Sequence, residues 1–185
     1  MLKFLLALTI IFSILVSCSA HEKEDEEVTK GDSQIVLTSD GFKNNELMPD
    51  RYSYRNNNIS PYLAWEKIPV NTKSFVIICD DPDAPVGTWV HWVIANIPSS
   101  DTCISEAVPK VNTLDNEAIQ GVNDYGEIGY GGPAPPSGVH RYFFKIYALD
   151  TVLQLPKGFT KKDALSAMEN HILGYGELIG RYAHK

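Results

Sequence analysis

The sequence has little that would suit it to nucleic acids, to a membrane-spanning fold or to a bundle of helices. Its 185 residues carry 16 Lys and Arg against 23 Asp and Glu, a net charge of −7, so no basic stripe is present to meet a phosphate backbone. Thirteen glycines and eleven prolines predict many turns and argue against a helical bundle. The apolar run at residues 4–16 is shorter than the roughly 20 residues that a spanning helix needs. The chain therefore has the size and composition of one globular domain.

Signatures of catalysis are also missing. The sequence contains no HExxH motif, no nucleophile elbow and no dense spacing of metal ligands. It has only three cysteines. Cys79 falls in a predicted core strand and Cys103 in a polar loop, so we expect two unpaired thiols, although an oxidising compartment would permit a disulfide. Neither has a histidine close by in the sequence, which argues against a thiol nucleophile.

The third cysteine belongs to an N-terminal segment with the layout of a secretory signal. Lys3 supplies a positive charge, the apolar run follows, and Leu15-Val16-Ser17-Cys18 resembles a bacterial lipobox, in which Cys18 becomes the acylated first residue. The alternative is a plain signal peptide with an incidental cysteine. We predict a lipoprotein signal at 1–17, a flexible charged tether at 18–33 and a folded domain at 34–185. Ser19 favours sorting to the outer rather than the inner membrane of a bacterial envelope, by resemblance to known lipoproteins.

Strand patterns dominate the rest of the chain. Residues 74–80 (SFVIICD) predict a central strand, because β-branched and aromatic residues occupy both of its faces. Residues 51–69 predict a loop that leads into a short edge strand, and residues 121–139 a long loop shaped by Gly and Pro. Further strands are predicted at 34–42, at 88–97 and at 140–150.

One late helix is predicted over 160–173. Thr160 can cap it, with Asp163 three residues further on, and Leu165, Met168 and Ile172 recur at helical spacing. Gly174 can end this helix, and GELIGRY can return as a last strand. The fold class that follows is a mostly antiparallel β domain with a late helix.

Alternation along the predicted strands turns several titratable side chains towards the interior. The residues expected to share a face are His140 with Tyr142, Phe144 and Ile146; Asp81 with Cys79 and Ile77; and His91 with Trp89 and Val93. A single buried histidine is more often a hydrogen-bonded core residue than a ligand-binding one. Three such groups, Asp81, His91 and His140, at strand ends beside a shaped loop favour a binding site.

Two motifs in order resemble the phosphatidylethanolamine-binding protein family. The first is DPDAP at 81–85 followed by W-x-H at 89–91, and the second is GPAPPSGVHRY at 132–142. NISPYLAW at 58–65 and the late ELIG also resemble that family's bacterial branch, described as Raf-kinase-inhibitor-like. The match covers nearly the whole predicted domain.

This resemblance implies a mainly β fold, a Greek-key sandwich of two antiparallel sheets with a C-terminal helix, and a small pocket for anions such as phosphate groups. Carried over by position, the ligand-binding residues would be Asp81, Asp83, Trp89, His91, Pro135, Pro136, His140 and Tyr142. Ala134 stands where bacterial relatives often have Cys, which excludes a thiol-based role there. No catalytic residue, metal or cofactor is expected.

Residue chemistry suggests how such a pocket would work. Because like charges repel, Asp81 and Asp83 need not touch the anion; one carboxylate instead accepts a proton from an imidazole and fixes its tautomer. His91 and His140 then present N–H donors to a phosphoryl oxygen, Tyr142 adds a hydroxyl, and backbone N–H groups of the GGPAPP loop complete the cradle. The DPDAP run can serve equally as a stiff structural turn.

Three functions compete. The first is a non-enzymatic lipoprotein domain that binds an anionic small molecule or a phospholipid head group. The second is an enzyme in which Asp and His side chains hold a metal or act as acid and base. The third is an inhibitor or regulator of an envelope protease or another protein partner. We expect the first.

Overall fold

A computed structural model of the chain describes residues 33–184. The predicted signal at 1–17, Cys18 and all but the last residue of the predicted tether lie outside the described residues. The ten strands within residues 33–184 are β1 Ser33–Gln34, β2 Val36–Thr38, β3 Glu46–Leu47, β4 Leu63–Glu66, β5 Ser74–Asp81, β6 Trp89–Pro98, β7 Cys103–Ile104, β8 Ile119–Gln120, β9 Val139–Leu149 and β10 Ile172–Ala183. A 3-10 turn covers Asp50–Tyr52, and one α-helix, α1, covers Lys161–Met168. None of the helices between residues 33 and 184 is long and apolar enough to cross a bilayer.

The strands form two sheets, as predicted. The larger has the order β1-β10-β9-β5-β6-β8, with β3 also paired to β10, and the smaller has the order β2-β4-β7. Two details differ from expectation. β10 pairs parallel with both β1 and β3, so the larger sheet is mixed rather than wholly antiparallel. β4 is the middle strand of the smaller sheet and not an edge strand.

β5 is a central strand, as its sequence predicts. It lies between β6 and β9, and all eight of its residues are buried. One face of the larger sheet, here called the inner face, packs Ile77 and Cys79 against core residues of the smaller sheet such as Trp65. The opposite face, the helix face, packs Ile78 against a cluster that includes Met168 of α1. The domain is therefore layered as small sheet, large sheet and helix.

The helix begins as predicted but ends earlier. Thr160 and Asp163 form a reciprocal capping box, with Thr160 N donating to Asp163 Oδ2 over 2.8 Å. The expectation that the helix runs to residue 173 is wrong: it ends at Met168, Asn170 takes a φ of +65°, and Ile172 already begins β10. Leu165 lies in the helix and Ile172 in β10, but both pack against the helix-face cluster, so their spacing in the sequence resembles one apolar face of a longer helix.

A bulge in β6 changes which way His91 points. Cys79 pairs with Trp92 and Asp80 with Val90, so His91 is the extra residue of β6. Trp92 belongs to the inner-face core and Val93 to the helix-face core. The expectation that His91 shares a face with Val93 is therefore wrong, whereas Trp89 does lie on the same side as His91, since both rings contact Tyr125. The bulge brings His91 to the inner face instead, where its ring meets Tyr142.

The remaining interior expectations are confirmed. Ile77 and Cys79 contribute to the inner-face core, as do Tyr142, Phe144 and Ile146 of β9. Cys79 is buried, Cys103 is exposed, and both are free thiols.

Candidate functional site

The three carboxylates at the end of β5 contact different basic side chains. Asp81 faces His140 at the start of β9: Nδ1 of the ring lies 2.7 Å from Oδ2 of the carboxylate. Both residues are buried, at 3% and 7% exposure. Since a carboxylate can only accept, Nδ1 of His140 carries the proton, and the free position of the ring is Nε2. Asp81 thus fixes the tautomer of His140, in the way the sequence analysis expects of one carboxylate.

Asp83 has a different partner from the one its motif suggests. Its two oxygens accept from Nε and Nη2 of Arg141 over 2.9 and 2.7 Å, and Oδ2 also accepts from the backbone N–H of Arg141. This bidentate contact lowers the pKa of Asp83 to about 2, since it stabilises the charged carboxylate. Asp83 therefore clamps the turn after β5 to the residue beside His140 and does not face the imidazoles. Arg141 is a residue that the sequence reasoning missed, although it stands in the quoted HRY motif.

Asp80 points the other way. It is buried on the helix face, and its carboxylate contacts Lys145 of β9 at 3.1 Å and Lys161 of α1 at 2.7 Å. Two lysines thus compensate this buried charge and tie the helix to the sheet. Of the three acidic side chains, only Asp81 supports an imidazole.

His91 is held by the backbone rather than by an acid. Its Nδ1 lies 2.6 Å from the carbonyl oxygen of Gly131, and because a carbonyl can only accept, Nδ1 carries the proton. Burial lowers the pKa of His91, so the ring is neutral at pH 7 and Nε2 keeps a lone pair. His91 therefore offers an acceptor at Nε2, not the second N–H donor that the sequence analysis expects.

Aromatic rings surround His91. The Tyr142 ring lies edge-on at 5.0 Å and the Tyr125 ring at 5.7 Å. Tyr125 also contacts Trp89 edge-on at 5.4 Å and stacks on Tyr54 at 4.2 Å. Sequence reasoning missed Tyr125, because it lies in the irregular loop where no strand alternation gives a side chain a direction.

Two of the polar groups in this wall have no partner in the described part of the chain. Nε1 of Trp89 is buried and makes no hydrogen bond there. The hydroxyl of Tyr142 makes none with residues 33–184 either, and burial raises the pKa of Tyr142, so it stays a protonated donor. Buried donors without partners are rare in native proteins. The buried indole N–H of Trp89 therefore points to a partner outside the described residues.

The proline loop at 131–136 contributes less than predicted. The N–H groups of Gly131 and Gly132 already donate to the carbonyl of His91 and to Asn58 Oδ1, both over 2.8 Å. The expectation that these two amides cradle an anion is therefore wrong. Pro135 is buried, and its carbonyl accepts from Nδ1 of His184 over 2.9 Å.

The site residues thus divide into two groups. The residues that gather at the inner-face edge of the larger sheet are Asp81, Trp89, His91, His140 and Tyr142. The other three predicted residues lie apart from them: Pro135 is in the proline loop, Pro136 is exposed, and Asp83 is bound to Arg141. Among residues 33–184 no group of three or more His, Cys, Asp or Glu side chains is arranged to hold a metal ion.

Comparisons with known proteins agree with this architecture. The family model described as phosphatidylethanolamine-binding protein matches residues 38–183. A relative from Methanothermobacter thermautotrophicus, called a UPF0098 protein, is 52% identical over 146 residues, which are 79% of this chain and 97% of that protein. UPF0098 protein YbhB of Escherichia coli is 39% identical over 124 residues, 63% of this chain and 78% of that protein.

Solved structures show the same fold. The Chlamydia trachomatis protein CT736, described as a putative phosphatidylethanolamine-binding protein homologue, has a TM-score of 0.75 and 38% identity. Escherichia coli YbcL, described as a new member of the mammalian family, has a TM-score of 0.77 and 30% identity. Each match covers 82% of this chain and 99% of the other. This chain belongs to the phosphatidylethanolamine-binding protein family.

Proposed function

We propose that this domain binds, without catalysis, a small phosphate-type oxyanion, either free or as a phospholipid head group. The observation that carries the proposal is the set of unpaired polar groups at one edge of the larger sheet. They are the indole N–H of Trp89, the hydroxyl of Tyr142 and Nε2 of His140, none of which has a hydrogen-bond partner among residues 33–184. Three potential donors that the fold leaves unpaired suit a ligand rich in acceptor oxygens.

The two histidines give the pocket a preferred protonation state of the ligand. His91 is neutral and offers a lone pair at Nε2, because its Nδ1–H is committed to Gly131. His140 has an aspartate behind it, which would compensate the charge of a ring that carries protons on both nitrogens; in that form Nε2 donates to the ligand. A hydrogen phosphate or a phosphomonoester carrying one proton has a P–OH group for His91 and P–O⁻ groups for His140. The phosphodiester of a phospholipid head group has no P–OH at pH 7, so with such a ligand His91 Nε2 would accept from another donor, such as the ammonium group of ethanolamine.

Asp81 is compatible with an anionic ligand because it lies behind His140 and not beside the ligand. Its two oxygens already accept from His140 Nδ1 and from the backbone N–H of Asp83, over 2.7 and 2.8 Å. The carboxylate is thus occupied, and the imidazole stands between it and the pocket.

The predicted lipid anchor at Cys18 would hold this domain at a bacterial membrane, so that phospholipid head groups would be at hand. That part of the proposal rests on the lipobox pattern of the sequence. Mass spectrometry of the protein isolated from membranes tests it: we expect a diacylglycerol-modified Cys18 at the mature N-terminus and no such product in Cys18→Ala.

Binding is tested with the chain from residue 33 onwards, which holds both sheets and both cores. Inorganic phosphate and O-phosphoethanolamine are titrated at constant ionic strength while the imidazole resonances are followed by NMR. We expect the ring signals of His91 and His140 to shift together, and His140→Ala to weaken binding by about tenfold or more. If phosphoethanolamine binds more tightly than phosphate, a head group is favoured as the source.

His171 provides a matched control. Its Nδ1 lies 2.7 Å from Asp150, the same pairing as His140 with Asp81, but on the surface. His171→Ala should leave phosphate binding unchanged. The proposal fails if neither site imidazole responds at millimolar ligand, or if His171→Ala weakens binding as much as His140→Ala.

A further inference from the structure

A cavity lies against the proline loop. It measures about 150 Å³ and is lined by Ser53, Arg55, Asn56, Pro133, Ala134, Pro135, Tyr182 and Ala183. This cavity is not lined by any of the residues of the proposed phosphate pocket, which are Asp81, Trp89, His91, His140 and Tyr142. One ordered water takes up roughly 30 Å³, so the space accommodates a group larger than a single water. Arg55 and Asn56 are exposed, so the cavity opens to solvent on their side.

Three acceptors around this cavity are occupied. The carbonyl of Pro133 accepts from the backbone N–H of Tyr54 over 3.0 Å, and that of Pro135 accepts from His184 over 2.9 Å. Ser53 Oγ accepts from Nδ2 of Asn56 over 2.6 Å. None of the residues that line the cavity is acidic.

Two side chains at the cavity, Ser53 and Arg55, have donors without an acceptor among residues 33–184. Ser53 is 1% exposed, and its hydroxyl proton has no acceptor in the described part of the chain, since its oxygen is engaged only as an acceptor. The guanidinium of Arg55 makes no ion pair with any acidic residue between 33 and 184, whereas Arg51 contacts Glu106 at 3.3 Å. An arginine carries five N–H donors and no acceptor. In a chain of net charge −7, this cavity is a local concentration of free donors.

The walls are held in place by close packing. A Cβ on Gly132 would clash with the backbone oxygen of Tyr52 and lie 2.8 Å from Ser53 C, so the proline loop rests directly on the segment that carries Ser53. Gly132 N also donates to Asn58 Oδ1 over 2.8 Å. Little ordering is therefore needed when a ligand enters, apart from the Arg55 side chain.

From this distribution we infer that the Ser53–Arg55 cavity is a second oxyanion site, which takes a carboxylate or phosphate group through the Ser53 hydroxyl and the Arg55 guanidinium. A planar guanidinium matches the two oxygens of either group. The site uses none of the imidazole pocket's residues, so it stands whether or not that pocket binds phosphate.

The test is an NMR titration of the chain from residue 33 onwards with acetate and, separately, with inorganic phosphate at constant ionic strength. We expect the backbone amides of Ser53, Arg55, Ala134 and Ala183 to shift in one saturable step. Arg55→Gln should weaken that step by about tenfold and Ser53→Ala by a smaller factor. The ratio of the two affinities shows whether a carboxylate or a phosphate group is preferred.

Two controls separate this site from surface charge and from the imidazole pocket. Arg51→Gln removes an arginine that does not line the cavity and should leave the step unchanged. A His91→Ala, His140→Ala double variant should also keep it. The inference is overturned if no saturable shift appears at these amides, if Arg51→Gln weakens it as much as Arg55→Gln, or if the double histidine variant abolishes it.

Discussion

Nδ1 of His140 lies 2.7 Å from Oδ2 of Asp81, and the pair joins the last residue of β5 to the second residue of β9. The contact decides two properties of the ring at once. It places the proton on Nδ1, and it sets a negative charge on the side of the ring away from its free nitrogen. The proposed phosphate pocket depends on both.

Asp81→Asn separates these two properties. The amide keeps the size of the side chain and its oxygen can still accept from Nδ1, but it carries no charge to offset an imidazolium, and its NH2 group cannot accept from the backbone N–H of Asp83. We expect phosphate affinity at pH 7 to fall by about tenfold, about 1.4 kcal/mol, with little change in the fold. Calorimetric titration measures the affinity, and circular dichroism verifies the fold. An unchanged affinity in a folded Asp81→Asn protein would contradict the role given to this carboxylate.

The unpaired indole of Trp89 gives a second prediction. Trp89→Phe removes the buried N–H, so phosphate binding should weaken by roughly 2- to 10-fold, the loss of one hydrogen bond. Trp65 supplies the control, because its Nε1 is also buried without a partner in residues 33–184 but lies in the inner-face core next to Phe75. Trp65→Phe should leave phosphate binding as it is. Equal effects of the two substitutions would show that the indole N–H of Trp89 plays no part.

His91 makes the stability of the domain depend on pH. Its folded-state pKa is lowered from the ordinary 6.5, chiefly by burial, so the unfolded chain takes up a proton more readily than the folded one. Unfolding free energy should therefore fall as pH drops below about 6.5, down to the folded-state pKa. Urea unfolding between pH 7.5 and 5 measures the slope, and His91→Gln should reduce it. A slope identical in the variant would mean that His91 does not titrate in this way.

The strands could be predicted from the sequence because their signal is local. Residues 74–80 carry β-branched and aromatic side chains on both faces, and this pattern alone marks a strand covered from both sides. The Thr160–Asp163 cap is equally local, since both of its hydrogen bonds span three residues. The end of the helix was not predictable in this way, because Leu165 and Ile172 pack on one core although they belong to different elements.

The site required long-range information. The sequence alone could gather Asp81, His91 and His140, because strand ends of one sheet lie close together. It could not show that the β6 bulge turns His91 to the inner face, or that Gly131 rather than an acid fixes its tautomer. Nor could it separate the roles of Asp80, Asp81 and Asp83, since each role depends on the basic side chain that a distant part of the chain places against it.

Packing of the proline loop gives a prediction for Gly132. A methyl group at this position would meet the backbone oxygen of Tyr52, and backbone atoms can move aside only by displacing the whole segment. We expect Gly132→Ala to cost about 1–3 kcal/mol of unfolding free energy, as other overpacked sites do. Denaturant unfolding measures it, with Ser137→Ala, an exposed position of the same loop, as the control. A variant as stable as the parent would show that the loop can shift away from Tyr52.

The clamp between Asp83 and Arg141 predicts a second pH effect, at acid pH. The folded-state pKa of Asp83 is lowered from 3.8 to about 2 by the Arg141 guanidinium, so its stabilisation is fully present above pH 3.8 and is lost as pH falls towards 2. Because the Arg141 side chain is half exposed, solvent screening reduces the contribution to about 1 kcal/mol. Asp83→Asn should therefore lose about that much stability at pH 6 and show a weaker dependence on pH between 4 and 2, as urea unfolding would measure. Asp115→Asn, at an exposed position, controls for the change in net charge. If both variants lose the same stability at pH 6, the clamp contributes nothing beyond net charge, and the rigidity of the turn beside His140 must come from its prolines.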